Sequence, residues 1–239
     1  MRHGVAANML TSKDARWLQD KFPTLTVSND EVAGSIKFIA TYNFESNKFL
    51  LIETDTVDDV GGVRLLAEFE IHIKPRAIKT FSNLPALSIA NLDRDAERHI
   101  NMNDGTACLC SPFEEEEFLL PEFNFIKFFE HLIVPFLYGQ AFYSLEGKWP
   151  WNDYSHGAVG LLESYYFIAD QSMAKECLDK LSKGLDWPDI KRILTSKDID
   201  GHIPCLCSKK DQIRRCHPTA FRGIKRLKSD LINQNIPLP

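Results

Sequence analysis

Four potential metal ligands lie within 13 residues near the end of this chain, and they restrict its fold more than any other feature. Cys205 and Cys207 are separated by one residue, and the adjacent pair Cys216 and His217 follows after eight more. Three thiolates and one imidazole form a ligand set of closed, tetrahedral structural zinc sites. So short a segment buries little core of its own, so bound Zn²⁺ would supply much of its folding free energy. The sequence therefore predicts a structural zinc knuckle.

The same spacing resembles the SEC-C type of zinc-binding motif, in which Cys-x-Cys is followed at a similar interval by Cys-His or Cys-Cys. That family usually has Gly-Ser-Gly after its second cysteine, where this chain has Ser208, Lys209 and Lys210. The pair Arg214 and Arg215 is similar to the basic residues of the family. The resemblance implies a metal centre that is structural and that helps to recruit a partner protein.

The six cysteines are clustered and not evenly spread as in a disulfide framework. Cys108 and Cys110 repeat the spacing of Cys205 and Cys207, so one four-cysteine site made from both pairs is an alternative to the knuckle. Local ligands close a site at a lower cost in loop entropy, which favours the knuckle. Clustered thiols, the lack of a secretion-signal core and the lack of an apolar run of about 20 residues predict a cytoplasmic protein outside the membrane.

The distribution of charge separates the C-terminal segment from the rest of the chain. The 28 basic and 33 acidic residues give a net charge of −5, which argues against a whole-protein nucleic-acid binder. Residues 209–228 have the opposite balance, because only Asp211 is acidic there. We therefore expect acidic partners to prefer this end. Its basic residues are Lys209, Lys210, Arg214, Arg215, Arg222, Lys225, Arg226 and Lys228.

The order of hydrophobic patterns predicts an α+β fold. A helical pattern over residues 12–22 precedes two β-rich runs over 34–52 and 64–73, and the second run partly alternates apolar with polar residues. A long loop with one strand at 86–90 comes next, and helical patterns fill most of the remaining chain. This order is typical of an antiparallel sheet with helices packed to one side. The later helical patterns cover 125–136, interrupted by Pro135, then 157–169, 171–183, 188–194 and 219–232.

The segment after the long loop reads His99-Ile-Asn101-Met-Asn-Asp-Gly105-Thr-Ala-Cys108-Leu109. It resembles the active-site segment of the ubiquitin-conjugating enzyme family, which has a His-Pro-Asn triplet, a turn that contains glycine and then Cys-Leu. Ile100 stands in place of the proline, and the interval from Asn101 to Cys108 is one residue shorter than in eukaryotic members. The resemblance implies a ubiquitin-conjugating-like antiparallel sheet with flanking helices, followed here by the zinc knuckle and a helix.

A second run extends the resemblance to residues 12–169. Its sequence, Trp-Pro-Trp-Asn-Asp-Tyr-Ser-His-Gly-Ala-Val-Gly-Leu-Leu-Glu-Ser-Tyr over residues 149–165, is similar to prokaryotic relatives from bacterial conjugation and antiphage defence operons. The resemblance implies a transferase that carries a ubiquitin-like protein, or the C-terminus of a modified protein, as a cysteine thioester and forms an amide bond. Implied partners are that carried protein, an activating enzyme and a cyclic-nucleotide-synthesising enzyme.

These resemblances divide the chain into three predicted parts. Residues 1–170 form the ubiquitin-conjugating-like domain, 171–200 a helical connector, and 201–239 the SEC-C-like zinc-binding segment with its basic helix. Within the first part, Cys108 would be the nucleophile that accepts the acyl group. Asn101, or Asn103 in its place, would donate a hydrogen bond to the thioester oxygen, and His99 would brace the loop rather than act as a base.

Other interpretations of the same residues remain open. Cys110 is interpreted as a structural residue facing the core, and His156 as either an acid or base or a packing and capping residue at a helix start. Cys108 could be an inert thiol in a catalytically inactive binding module of the same fold, an interpretation that Ile100 and the shortened loop favour. A third possibility is a zinc-dependent adaptor that binds acidic proteins, nucleotides or RNA through residues 209–228.

Overall fold

The computed structural model describes residues 9–46, 48–52, 62–76, 82–207 and 209–239. The chain divides into two compact units, the first comprising residues 1–110 and 115–153 and the second residues 111–114 and 154–239. The predicted boundary at residue 170 falls inside the second unit. The physical reason is that the helix Gly157–Phe167 packs most extensively against the C-terminal helix.

A five-stranded antiparallel sheet forms the framework of the first unit. Strand β2 is central and pairs along nearly its whole length with β4, while β1 and β3 pair with the two halves of its other edge. Strand β5 pairs with the C-terminal end of β4. The predicted antiparallel pairing and the predicted strand at 86–90 are therefore confirmed, and β1 is an addition. The strands do not form the simple meander that the sequence predicts, because the consecutive strands β3 and β4 pair with opposite edges of β2. The strands are β1 (Leu25–Ser28), β2 (Glu31–Asn43), β3 (Lys48–Ile52), β4 (Val63–Lys74) and β5 (Ala86–Ile89).

Helices flank this sheet, so the predicted α+β class is confirmed. No helix in the described ranges is both long enough and apolar enough to cross a membrane. Short 3₁₀ turns lie at Ala96–Arg98 and Gln171–Met173, and a π-helical turn lies at Phe129–Ile133. The helices are α1 (Ser12–Lys21), α2 (Glu115–Leu119), α3 (Phe125–Phe128), α4 (Val134–Glu146), α5 (Gly157–Phe167), α6 (Ala174–Leu181), α7 (Trp187–Thr195), α8 (Ile213–Cys216) and α9 (Pro218–Asn233).

One face of the sheet is buried and the other is largely exposed, as the alternation in β4 predicts. Ala67, Ile71 and Ile73 are buried, whereas Glu68 and Glu70 are exposed. The buried face belongs to a core that includes apolar residues from the helices of the same unit. Burial of apolar surface at roughly 25 cal/mol per Å² is the main favourable contribution to the stability of this unit. The largest fully buried helix residues of this core are Leu18, Phe125, Phe128, Phe129, Ile133, Leu137 and Tyr138.

The predicted interruption at Pro135 is wrong, because the helical path continues from Phe125 to Glu146. A proline cannot donate the usual backbone hydrogen bond and its ring crowds the preceding turn of an α-helix. The chain accommodates it with the π-helical turn just before it, so that Pro135 lies in the first turn of α4. A π turn of this kind widens the helix locally and re-phases the side chains after it.

The second unit is a helical body built on α5 and α9. Gly223 in α9 lies so close to the backbone of α5 that a β-carbon there would meet the carbonyl group of Leu162. The hydroxyl group of Tyr165 donates a 2.7 Å hydrogen bond to Asp230, and Arg226 donates to the backbone carbonyls of Tyr165 and Tyr166. These contacts bind the two helices through both close packing and buried hydrogen bonds.

Candidate cysteine site and metal centre

Backbone hydrogen bonds fix the segment that presents Cys108. The amide of Cys108 donates to the carbonyl of His99, and the amide of Ala107 donates to the carbonyl of Leu87 in β5, each over 2.8 Å. Ile100 and Ala107 are buried in the core of the first unit, whereas Cys108 is exposed. The loop is therefore anchored to the sheet while the thiol faces solvent.

The ring of His99 contacts the two other members of a three-residue site. His99 has a left-handed backbone conformation, with φ of 53°. Its Nε2 atom forms an ion pair with the carboxylate of Asp153, and Cys108 lies close enough to the ring to raise its pKa. Nucleophile, imidazole and orienting carboxylate occur together in cysteine-dependent acyl transfer enzymes. The sequence interpretation of His99 as a loop brace therefore omitted its direct contact with the thiol.

The electrostatic environment favours the protonated form of His99. Burial of the ring lowers its pKa, but hydrogen bonds and charge interactions with Asp153 and Cys108 outweigh this and raise the pKa from 6.5 to about 9. The side chain is only 12% exposed, so solvent screens these interactions weakly. At neutral pH His99 is therefore an imidazolium beside Cys108.

Trp149 holds the His99 ring from the side. The two rings meet edge to face with centroids 5.1 Å apart, and the indole Nε1 atom donates a 2.8 Å hydrogen bond to the carbonyl of Glu97. A β-carbon at Gly139 of α4 would meet the Trp149 ring, so the indole occupies space that only glycine leaves open. The Trp-rich run that contributed to the family resemblance thus has a physical role in positioning His99.

Asn101 lies in the turn that precedes Cys108. Its Oδ1 atom accepts a 3.0 Å hydrogen bond from the amide of Asn103, and its carbonyl accepts one from the amide of Gly105. In the described part of the chain neither Asn101 nor Asn103 has a hydrogen bond to Cys108. The role of Asn101 as donor to a thioester oxygen stays a prediction, and the structure supports a turn-forming role for it.

The residues that come after Cys108 differ in their surroundings. Leu109 and Cys110 are half-buried and pack against the core of the first unit, as the structural interpretation of Cys110 predicts. Among the described residues, the backbone amide of Leu109 donates no hydrogen bond. An unpaired amide directly after a nucleophile is a common donor to an oxyanion.

The remaining candidate from the sequence is His156, at the start of α5. It belongs to the second unit, is exposed, and immediately precedes α5. It occupies the N-cap position of α5, as the interpretation of a residue at a helix start predicts, although its side chain makes no capping hydrogen bond. The reason is its chemistry, because short oxygen-bearing side chains are the ones that reach the first free amides of a helix.

Asp153 is the site residue that sequence reasoning missed. It stands in the run over residues 149–165, where it follows Asn152 and carries no distinguishing motif of its own. The only available signal was a carboxylate in a segment rich in Trp that the resemblance had already selected. Its pairing with His99 depends on how the chain returns to the cysteine loop after α4, which residue spacing does not encode.

The predicted knuckle residues converge in the second unit. The ligand atoms of Cys205, Cys207, Cys216 and His217 all lie within 4.8 Å of one another. The Cys207 and Cys216 sulfur atoms are 3.5 Å apart, and Cys205 Sγ is 3.1 Å from His217 Nδ1. Around zinc, with bonds of about 2.3 Å to sulfur, neighbouring sulfur atoms lie roughly 3.8 Å apart. The cluster therefore fits a metal ion of this size, and it is compatible with structural zinc.

The knuckle closes through its own backbone. The amide of Cys205 donates a 2.6 Å hydrogen bond to the carbonyl of Asp211, and the amide of Lys210 donates to the carbonyl of Cys207. Lys210 adopts the left-handed conformation, with φ of 55°, near the place where the related motif has glycine. That conformation costs a lysine roughly 1–2 kcal/mol, which the surrounding contacts offset. The turn is thus made without the family's glycines.

The chemistry of the donor set also favours a cation. Burial, together with the neighbouring Cys207 and Cys216, raises the pKa of Cys205 to about 12. Thiols packed this closely do not all ionise readily, because each new thiolate repels the next, so the pKa of Cys207 is lowered while the pKa values of Cys205 and Cys216 are raised. A divalent cation would remove this repulsion, since metal ligation deprotonates the thiols. Because Cys205 and Cys207 lie with Cys216 and His217, the alternative four-cysteine site with Cys108 and Cys110 is not the one that the structure shows.

Searches of protein-family models, curated proteins and solved structures found no significant match to this chain.

Replacing Asp153 with Asn should lower the pKa of His99 from about 9 toward its ordinary 6.5, because the carboxylate that favours the imidazolium is lost. A raised pKa adds folding stability that is fully present below pH 6.5 and is lost as the pH rises through about 9. The free energy of unfolding of Asp153→Asn should therefore fall most below pH 6.5 and change little above about pH 9. An NMR titration of the His99 ring measures the pKa directly.

The matched control is Asp93→Asn, which removes the same charge from an exposed position near the cysteine loop. Its His99 titration should remain that of the wild type. An unchanged His99 pKa in Asp153→Asn would contradict the ion pair as the main cause of the shift.

Proposed function

We propose that this protein is a ubiquitin-conjugating-like acyl transferase of a bacterial conjugation or antiphage system. Cys108 accepts the C-terminus of a ubiquitin-like or modified protein as a thioester and passes it to an amine. The proposal is supported by one observation above all: an exposed thiol lies beside an imidazole that is ion-paired with a carboxylate. An inert surface cysteine needs neither partner.

In the first step the Cys108 thiolate attacks the carbonyl carbon of a donor thioester. A new C–S bond forms, the donor C–S bond breaks, and the imidazolium of His99 gives its proton to the departing thiolate. Asp153 keeps the ring in one orientation and does not touch the substrate. It is a positioning residue whose charge sustains the imidazolium.

In the second step an amine attacks the acyl group on Cys108. Acylation removes the Cys108 hydrogen bond and charge, which are among the causes of the raised His99 pKa. The imidazole that has just released its proton is therefore a better base in the acyl-enzyme than in the free enzyme. It accepts the proton of the attacking amine, the amide bond forms, and the Cys108 thiolate leaves.

The C-terminal region would serve partner recruitment rather than chemistry. Cys205, Cys207, Cys216 and His217 would hold Zn²⁺, which supplies a structural cross-link. Three of the eight basic residues over 209–228 already make contacts within the second unit. Arg226 and Lys228 donate to backbone carbonyls, and Arg214 contacts His202. The exposed remainder fits an acidic partner such as the carried protein, its activating enzyme or a cyclic-nucleotide-synthesising enzyme. These residues are Lys209, Lys210, Arg215, Arg222 and Lys225.

One observation favours the second candidate, a catalytically inactive binding module. The Oδ1 atom of Asn101 accepts a hydrogen bond from the amide of Asn103, which ties this side chain to its own turn, and among the described residues Asn101 makes no hydrogen bond to Cys108. A module of this kind would keep the fold and the knuckle but would form no acyl adduct. The same experiment therefore distinguishes the two candidates.

The test uses a synthetic peptide that ends in Gly-Gly as the thioester of 2-mercaptoethanesulfonate. Intact-mass measurement should show one peptide added to the protein, and hydroxylamine should remove it, because a thioester is cleaved by this amine. Addition of free lysine should discharge the protein and yield the peptide–lysine amide. Absence of any hydroxylamine-sensitive adduct would favour the inactive module.

A further inference from the structure

We infer that the cysteine site also hydrolyses small acyl thioesters, with water in place of the amine. This inference rests on the proposed function, because it takes the same Cys108 acyl intermediate and adds a second acceptor. Its substrate class is a small acyl thioester, whose carbonyl carbon an exposed thiol can reach. Four observations about the first unit support it independently of the carried protein.

The first two observations concern the base. His99 forms an ion pair with Asp153 and lies beside the exposed thiol of Cys108, which is the set of groups found in cysteine and serine hydrolases. A base held in this way accepts a proton from water as readily as from an amine of similar geometry. Nothing in this three-residue arrangement selects an amine over water.

The third observation concerns the oxyanion. Within the described ranges the backbone amide of Leu109 donates no hydrogen bond, although its side chain packs against the core. It directly follows Cys108, the position from which nucleophile-adjacent amides stabilise a tetrahedral intermediate. Removing one such donor in known enzymes costs about 10²–10³-fold in rate. The site thus has a donor that does not depend on Asn101.

The fourth observation concerns access to solvent. Cys108 is exposed, and its neighbours Met102, Asn103 and Asp104 in the preceding turn are exposed as well. Transferases that protect a thioester from water need a closed site around the acyl group. In the described part of the chain this turn offers no such closure, so water reaches the acyl-cysteine.

The hydrolytic step balances without a further reactant. Water adds to the acyl carbon, one of its protons passes to His99, and the C–S bond to Cys108 breaks. The products are the carboxylic acid, which ionises, and the Cys108 thiolate paired again with the imidazolium. No oxidant or reductant is involved, and the enzyme returns to its starting state after each turnover.

The experiment follows release of N-acetylglycine from its 2-mercaptoethanesulfonate thioester by the full-length protein, with intact mass recorded in parallel. Multiple turnovers are expected, and His99→Gln should reduce the rate by about 10²–10⁴-fold. The matched control is His131→Gln, the same change at an exposed position of the first unit, which should retain the wild-type rate.

Three outcomes would overturn the inference, and the first two differ in what they say of the transferase. An acyl-Cys108 adduct that persists in water but is discharged by lysine would exclude hydrolysis and leave the proposed transferase intact. Absence of both adduct and product, with this substrate and with the peptide thioester, would exclude both. Turnover that is equal in wild type and His99→Gln would also exclude the assigned mechanism.

Discussion

Replacing Cys108 with Ala is expected to abolish the acyl adduct and all amide formation, whereas Cys110→Ala should retain most of both. Cys108 is the exposed thiol and lies beside His99, while Cys110 is half-buried and packs against the core. Removal of a nucleophile from a catalytic triad costs about 10⁶-fold in turnover in a comparable enzyme. Intact mass after incubation with the peptide thioester measures the adduct on each variant.

Cys110→Ala is the matched control because it removes a second thiol only two positions away. Circular dichroism of both variants checks that the first unit remains folded. Loss of the adduct in Cys110→Ala alone, with Cys108→Ala still charged, would show that the nucleophile has been assigned to the wrong cysteine.

Replacing Cys207 or Cys216 with Ser is expected to remove the bound metal and to destabilise the second unit. Wild-type protein should hold one zinc ion per chain, because the cluster has four ligand atoms within 4.8 Å of one another. Loss of a structural metal is one of the few single-site changes that cost more than about 4 kcal/mol. For a unit of this size that corresponds to a fall in Tm on the order of 15 °C.

Elemental analysis and thermal unfolding measure the two effects on the same samples. Cys108→Ser is the control, since it removes an exposed thiol from the first unit and should leave the zinc content at the wild-type level. Acyl charging should survive in Cys207→Ser, because the sheet and its aromatic core belong to the first unit. A wild-type protein without zinc, or charging that disappears as fast as a chelator removes metal, would contradict an independent structural centre.

Much of the fold follows from local patterns. The alternation in β4 and the turn residues predict a half-exposed antiparallel sheet, and the structure confirms it. The helical pattern around Phe125 and Phe128 was correctly placed, but its expected break at Pro135 was wrong. A proline removes one hydrogen bond locally, and whether the helix ends or widens into a π turn depends on the packing of Phe129 and Ile133 in the core.

The sequence by itself determined the metal-ligand cluster, because its four ligands are close along the chain and must meet when so short a segment closes. It also singled out Cys108, whose neighbours share the order of a known active-site segment. Only the tertiary structure decided which groups surround that thiol. Asp153 reaches His99 after the chain has passed through α4, and Gly139 leaves the space that Trp149 fills beside the ring. Contacts between residues so distant in sequence depend on how the elements pack, which no local pattern specifies.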